Sequence, residues 1–508
     1  MNQKVALCYI ASTIIKNRKI MKGKIFFTVF ILSFLALGFA KAQNIQFEDA
    51  NFKATLLSAS PDSGIAMDAK GNSVAIDTNG DGEISQAEAL NIYYLDISKA
   101  QDIKSINGIE YFTNLTVLNC KSVALESLDL SKNINLQGLD MSSTEIETLD
   151  ISKNTNLQGL YLDSTKIQTL DLSKNINLQG LGLNSAGIQT LDVSKNINLQ
   201  GLDLGSTGIQ TLDISKNIEL QYLDLSDTGI QTLDVSKNIN LRKLDLSDTG
   251  IKALDVSKNI ELKYLDLNNT KIKTLDVSKN INLQYLGLSD TRIKVLDISK
   301  NVKLQGLDLS YTRIRTLDLS KNINLQKLRL KGNTGMQTLD ISKNIELQRL
   351  GLSSTRIETL DVSKNINLQE LYLDEAGIKT LDVSKNINLQ RLYLNDTRIK
   401  TLDVSRNIKL ARLDLYGCTE LTSLYMKNGV KKTFGFGNGY DFYGTNLNYI
   451  CCDEDEINAV KDYMQNLAEK ESLAEGWQFS NLTVISDCGI ASAKEILPQG
   501  KTTSNPHP

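Results

Sequence analysis

The sequence predicts a solenoid of stacked coils, mainly β, with one long parallel sheet, short strands or turns on the opposite side, and small α-containing caps. Three observations carry that prediction. From Leu128 the segment LDLSKNINLQGLDMSSTEIET returns every 21 residues, so its first leucine recurs at Leu149, Leu170 and onward to Leu317. One 22-residue unit intervenes, and the series continues at Leu339, Leu360, Leu381 and Leu402. Within each unit a stretch L-x-x-L-x-L alternates with period two, as a strand with one buried face does. No proline lies between Pro61 and Pro498, so nothing interrupts a hydrogen-bonded ladder from coil to coil.

Numbered 1–21 from that leucine, positions 1, 3, 7, 9, 12, 14 and 19 are almost always Leu, Ile or Val and predict seven inward side chains per coil. No coil covers its own faces, so stability comes from its neighbours. The L-D-[VIL]-S stretch also alternates and predicts a second, shorter strand or a tight turn. Asp at position 2 and Lys or Arg at position 5 recur in every unit, which suits a structural surface of alternating charge.

The unit fits the leucine-rich-repeat pattern L-x-x-L-x-L-x-x-N-x-L. Threonine usually replaces the asparagine (Thr144 through Thr397), while the two 22-residue units have Asn333 and Cys418 there. The period and the LDVSKN stretch resemble the internalin-like repeats of secreted bacterial proteins, and the stretch FEDANFKATLL…IDTNGDGEISQAEAL…INGIEYFTNLTVL ahead of them resembles the amino-terminal cap of secreted Bacteroidetes repeat proteins. That resemblance implies a right-handed solenoid of about 15–16 coils over residues 107–424. It also implies recognition of a protein or glycan, with adhesion or host interaction among the roles. Relatives of this period often stack cysteines at position 14; here only Cys120 stands there.

The ends differ from the repeats. Met21-Lys-Gly-Lys, the apolar run 25–40 and Ala40-Lys41-Ala42 form a secretory signal at 21–42, with 1–20 as an upstream extension. Export predicts a secreted or cell-surface protein with no transmembrane span in the mature chain. In the cap at 43–106, DTNGDGEISQAE (77–88) matches an EF-hand calcium loop at every constrained position. Asp77, Asn79, Asp81, Ser85 and Glu88 supply oxygens, Glu83 offers its backbone carbonyl, Gly82 permits the bend, and Ile84 anchors the loop to a core. With no second hand present, calcium is expected as a structural staple. The carboxy-terminal cap, 425–490, holds a helix with Ile457, Val460, Met464 and Leu467 on one face and Asp453–Glu456 at its positive end. Either Cys451 or Cys452 is expected to pair with Cys488, a loop worth roughly 3–4 kcal/mol. Residues 491–508 read as a disordered tail.

Composition narrows the function. Basic and acidic residues nearly balance (56 against 59), which excludes a nucleic-acid binder driven by bulk charge. The single histidine, His507, removes histidine-dependent hydrolase and zinc chemistry, and no constellation supports an enzyme. The candidate ligand surface is the sheet face at positions 11, 13 and 15. Its acidic part is Asp203, Asp224, Asp245 and Asp266; farther along come Lys327, Arg329 and Arg349, with Tyr222, Tyr264, Tyr285 and Tyr393 interspersed. The leading reading is a secreted or surface binding protein. The alternative is a structural spacer without a specific ligand. A second basic row at positions 18 and 20 (Lys271, Lys273, Arg292, Lys294, Arg313 and Arg315) either offers a further surface for an anionic glycan or acidic partner or only offsets the nearby Asp227, Asp248 and Asp290.

Overall fold

A computed structural model describes residues 43–100, 102–435, 439–470, 473 and 477–488. The expected upstream extension, signal and tail lie outside the described residues. The chain divides into two compact units, 1–280 and 281–508.

The first unit begins with helix α1 (Ala50–Leu57), whose N-cap Asp49 accepts from the N–H groups of Asn51 and Phe52. The other Asp49 carboxylate oxygen accepts from Lys104 and Ser105, pinning the helix to the approach of the first coil. A short strand, Ala66–Met67, runs antiparallel to Tyr94–Asp96 and covers that edge of the sheet. Parallel three-residue strands then follow one per coil, from Val117–Asn119 through Lys243–Asp245 to Tyr264–Asp266. Each strand places its position-12 leucine opposite the next: Leu95, Leu118, Leu139 and Leu160 are in register and buried.

The second unit repeats the design from Tyr285–Gly287 to Arg412–Asp414, and Tyr440–Asp441 adds a last strand. A second sheet of four strands, Thr401–Asp403, Ser423–Tyr425, Tyr449–Cys451 and Thr483–Ile485, forms on the L-D-V side. The expected second strand is therefore realised only in these last coils; elsewhere that side is extended chain and turns. Helix α2 (Gln86–Ala89) belongs to the first cap, and helix α3 (Ile457–Glu469) buries Val460, Met464 and Leu467 as its spacing predicts. No described helix is long and apolar enough to cross a membrane.

Two positions depart from the inward set of seven. Position 7 faces solvent: Ile176, Ile197, Ile218 and their counterparts are about half exposed. Position 6 goes inward instead. The position-6 asparagines from Asn133 to Asn407 are fully buried, and Nδ2 of those up to Asn280 and from Asn322 on donates to two carbonyls of the preceding coil, as Asn259 does to Val235 (3.0 Å) and Asn238 (2.8 Å). A buried amide that satisfies backbone carbonyls at the turn does there what an apolar side chain cannot. The Asp ladder at position 2 is also local: Asp255 Oδ1 accepts from the Ser257 N–H at 2.9 Å, an Asx turn repeated in each coil. Position 17 threonines cap the other turn, as Thr249 does by donating to the Leu246 carbonyl.

Candidate functional site

The loop 77–88 folds as its sequence dictates. Asp77 accepts from the Gly80 and Gly82 N–H groups, Asn79 from Asp81, and Asp81 from Glu83. Gly80 and Gly82 take positive φ (73° and 77°), the bend only glycine makes without strain. Ile84 is fully buried, and its carbonyl accepts from Ile45 N–H at 2.8 Å. Asn44 and Ser85 form an isolated antiparallel bridge beside it. Ser85 and Glu88 form a capping box at the start of α2. Burial pushes the Glu88 carboxyl up, but N–H donation from Ser85 and Thr78 outweighs it and holds the group below its ordinary value. Glu83 turns its side chain to Lys53 (2.7 Å), leaving its backbone carbonyl as its donor. Among the described residues no three Asp, Glu, His or Cys side chains form a metal cluster by themselves. The oxygens the loop offers are those of Asp77, Asp81 and Glu88, the Asn79 and Ser85 side chains and the Glu83 carbonyl. All of these are hard oxygens, which fit calcium.

On the sheet face of the first unit, Asp203, Asp224, Asp245 and Asp266 lie on four successive strands in register. They are not the exposed face the alternation predicts. Asp224, Asp245 and Asp266 are recessed, each under 10% exposed, and Asp203 is half-buried at the end of the row. Large side chains at position 11 cause the recess. The Lys243 ammonium sits over the rings of Tyr222 (4.7 Å) and Tyr264 (5.1 Å) and reaches Asp224 (3.6 Å) and Asp245 (4.0 Å). Tyr222 and Tyr264 donate to Asp224 and Asp266, each at 3.0 Å, and Ser226 and Ser247 hydroxyls hold Asp224 and Asp245. Burial, then Asp224 alongside, raises the Asp245 carboxyl to about 6, and the same two causes raise Asp203. Next to Asp203 the recess is open: a Cβ on Gly201 would meet nothing within 4 Å.

Sequence reasoning missed Lys243. The signal was present, because a 21-residue period places position 11 of one coil beside position 13 of the coil before it. The acidic row thus already holds a cation, the Lys243 ammonium beside Asp224 and Asp245.

The second unit's face also differs from expectation. Its basic residues are largely paired within the face: Arg329 with Asp308 (3.5 Å), Arg349 and Arg391 with Glu370 (3.1 and 2.8 Å), and Arg412 with Asp414 (2.8 Å). Glu370, overlooked in the sequence, is buried between two guanidiniums. Tyr393 stacks on Tyr372 at 4.7 Å with Arg412 over its other neighbourhood at 5.0 Å, while Tyr285 leans over Gly306. Lys327 is exposed and has no carboxylate partner among the described residues. The structure thus brings Lys327, Arg329 and Arg349 onto adjacent strands and leaves Tyr393 two strands beyond.

In the carboxy-terminal cap Cys451 pairs with Cys488 in a disulfide, and Cys120, Cys418 and Cys452 are buried free thiols. The acidic run at Asp453–Glu456 is more than a helix-end placement. Asp453 and Glu456 clasp the buried Lys432 ammonium at 3.0 and 2.9 Å.

No protein-family profile matches the chain, and no curated protein matches it in sequence. Solved structures do. The functional domain of InlJ from Listeria monocytogenes, described as including a cysteine ladder, is 28% identical over 78% of this chain and 85% of its own, with TM-score 0.65. A leucine-rich-repeat protein of Leptospira interrogans is 24% identical over 66% and 93%, TM-score 0.61. An internalin, InlF of Listeria monocytogenes, is 19% identical over 74% and 95%, TM-score 0.50. The fold is an internalin-like leucine-rich-repeat solenoid with repeats of about 21 residues.

Proposed function

We propose that this is an exported recognition protein, secreted or held at the cell surface, which takes a cationic segment of a protein partner into the acidic recess of its first unit. One observation carries the reading: four aspartates stacked in register, with the Lys243 ammonium between Asp224 and Asp245 and an open end over Gly201 and Asp203. Like charges at strand spacing repel, and a buried row of them persists at a cost that a cationic ligand relieves. Strands ~4.8 Å apart spread the four carboxylates over about 14 Å. An extended peptide presents same-face side chains about every 6.6 Å, so two lysine or arginine side chains fit the row. Adhesion or host interaction is the role such binding would serve.

Calcium, in this reading, is a structural ion of the first cap. Asp77, Asn79, Asp81, Ser85 and Glu88 with the Glu83 carbonyl would hold it, and its charge would fasten the cap to the first coil. The spacer reading has one observation in its favour, the internal pairing of Arg329, Arg349, Arg391 and Arg412. It therefore applies best to the second unit's face. Immobilised chain probed with arrays of host extracellular proteins at rising salt tests the proposal. Partners that bind through basic segments, and less well as salt rises, support it; partners indifferent to both salt and their own basic residues overturn it.

A further inference from the structure

The first unit carries a groove that the acidic recess does not use. It has a volume of about 440 Å³ and is lined by six amides: Gln137, Gln158 and Gln179 at position 10, and Asn156, Asn177 and Asn198 at position 8. Nothing charged lines it. The asparagines are fixed: Nδ2 of Asn156, Asn177 and Asn198 donates to the position-7 carbonyl of the preceding coil at 3.0, 3.0 and 3.1 Å. Each therefore keeps Oδ1 as an acceptor. The three glutamine amides have no hydrogen-bond partner among the described residues, so their full donor and acceptor capacity faces the groove.

The strand residue that follows each of these glutamines is small. Position 11, the residue after each glutamine, is glycine on four successive coils: Gly138, Gly159, Gly180 and Gly201. On the following coils it is Tyr222, Lys243 and Tyr264, which fill the corresponding space. Tyr161 lies on the sheet face next to Gly180 and Gly182 and outside the groove's lining. A Cβ on Gly180 would come 3.1 Å from its hydroxyl, and one on Gly182 would come 3.0 Å from its ring. Its hydroxyl thus reaches the residue beside Gln179.

We propose that this groove binds a neutral oligosaccharide. Amides that offer a donor and an acceptor together match the vicinal hydroxyls of a sugar, which present both on adjacent carbons. The absence of charge in the lining selects against acidic sugars and nucleic acid. The repeat of the same two amides at ~4.8 Å strand spacing matches a chain of sugars better than a single one. Grooves of a few hundred Å³ with a few convergent polar groups are of ligand-binding size.

The inference goes beyond the acidic recess and is tested separately from it. Full-length chain is titrated calorimetrically with neutral hexasaccharides of β-1,4-glucose, β-1,3-glucose, α-1,4-glucose and N-acetylglucosamine. At least one binds saturably, and the Gln158→Ala/Gln179→Ala variant binds it at least tenfold more weakly with an unchanged melting curve. A Gln305→Ala/Gln326→Ala control, at the same position in the second unit, binds as the wild type does, and so does Asp203→Asn/Asp224→Asn. The proposal is overturned if no hexasaccharide saturates. It is equally overturned if both glutamine pairs matter alike, or if an uncharged extended peptide occupies the groove and no sugar does.

Discussion

Replacing Lys243 with methionine isolates the one cation inside the acidic row while keeping most of its apolar stem. A unit-charge pair at about 4 Å is worth about 4 kcal/mol at an effective dielectric of 20. Lys243 has two such partners, at 3.6 and 4.0 Å, and its side chain is 32% exposed. Solvent screening and the desolvation regained on removal of the ammonium reduce that sum substantially. Loss of the two ring contacts adds about 1 kcal/mol. The expected net destabilisation at pH 7 is about 2–3 kcal/mol, and it is pH-dependent. The Asp245 carboxyl is raised from 3.8 to about 6, so the folded chain takes up that proton before the unfolded chain does. Stability therefore rises as pH falls through 6 and is lost again as pH rises through it. Without Lys243 the carboxyl is raised further, and acidification to about pH 5 recovers most of the deficit. Urea melts followed by far-UV circular dichroism at both pH values measure this. Equal stability of variant and wild type at pH 7, or a deficit unchanged at pH 5, refutes the arrangement.

Other expectations follow from the same geometry. Asp245→Asn raises stability at pH 7 by about 1–2 kcal/mol and flattens the stability profile between pH 5 and 7, read from melts across that range. Asn259→Ala, which removes two buried donors to carbonyls, costs about 2–3 kcal/mol, and Asn259→Asp costs more because it sets an acceptor against those carbonyls; denaturant midpoints rank them. If calcium staples the first cap, millimolar calcium raises the melting temperature of the wild type and chelator reverses it. Asp81→Ala abolishes the difference, and identical profiles for wild type and variant in calcium count against the ion. Lys432→Met leaves Asp453 and Glu456 without their buried cation and destabilises by about 3 kcal/mol, seen first as loosening of the cap in hydrogen exchange.

What the sequence disclosed is what a single repeat unit can show. Period two at L-x-x-L-x-L was enough to place the strands, and the 21-residue period was enough to place Leu118, Leu139 and Leu160 opposite one another. The inward assignment of position 7 went wrong because apolar residues are not obliged to be buried: Ile176 and its counterparts line the outside of a tight turn. Position 6 was overlooked for the converse reason. An invariant asparagine beside a recurrent basic residue resembles solvated surface until the turn's carbonyls are seen to need donors. In the segment 77–88 the bend at Gly82 and the burial of Ile84 were readable, since both are local to the turn. The candidate recess was only half readable. Its aspartates and tyrosines were found by position, but whether a side chain is recessed depends on position 11 of the next coil, and so does the pairing of Lys243, Glu370 and Arg349.

Binding of a short peptide alternating lysine and serine, measured on an immobilised chain, tests the recognition reading most directly. The account predicts saturable binding that weakens with salt and falls at least tenfold in Asp203→Asn/Asp224→Asn/Asp266→Asn, with no loss on changing the position-5 lysines Lys216, Lys237 and Lys258 to Ala. Equal binding of the same peptide with every lysine acetylated would contradict it. So would loss of binding that follows the position-5 lysines and not the aspartates.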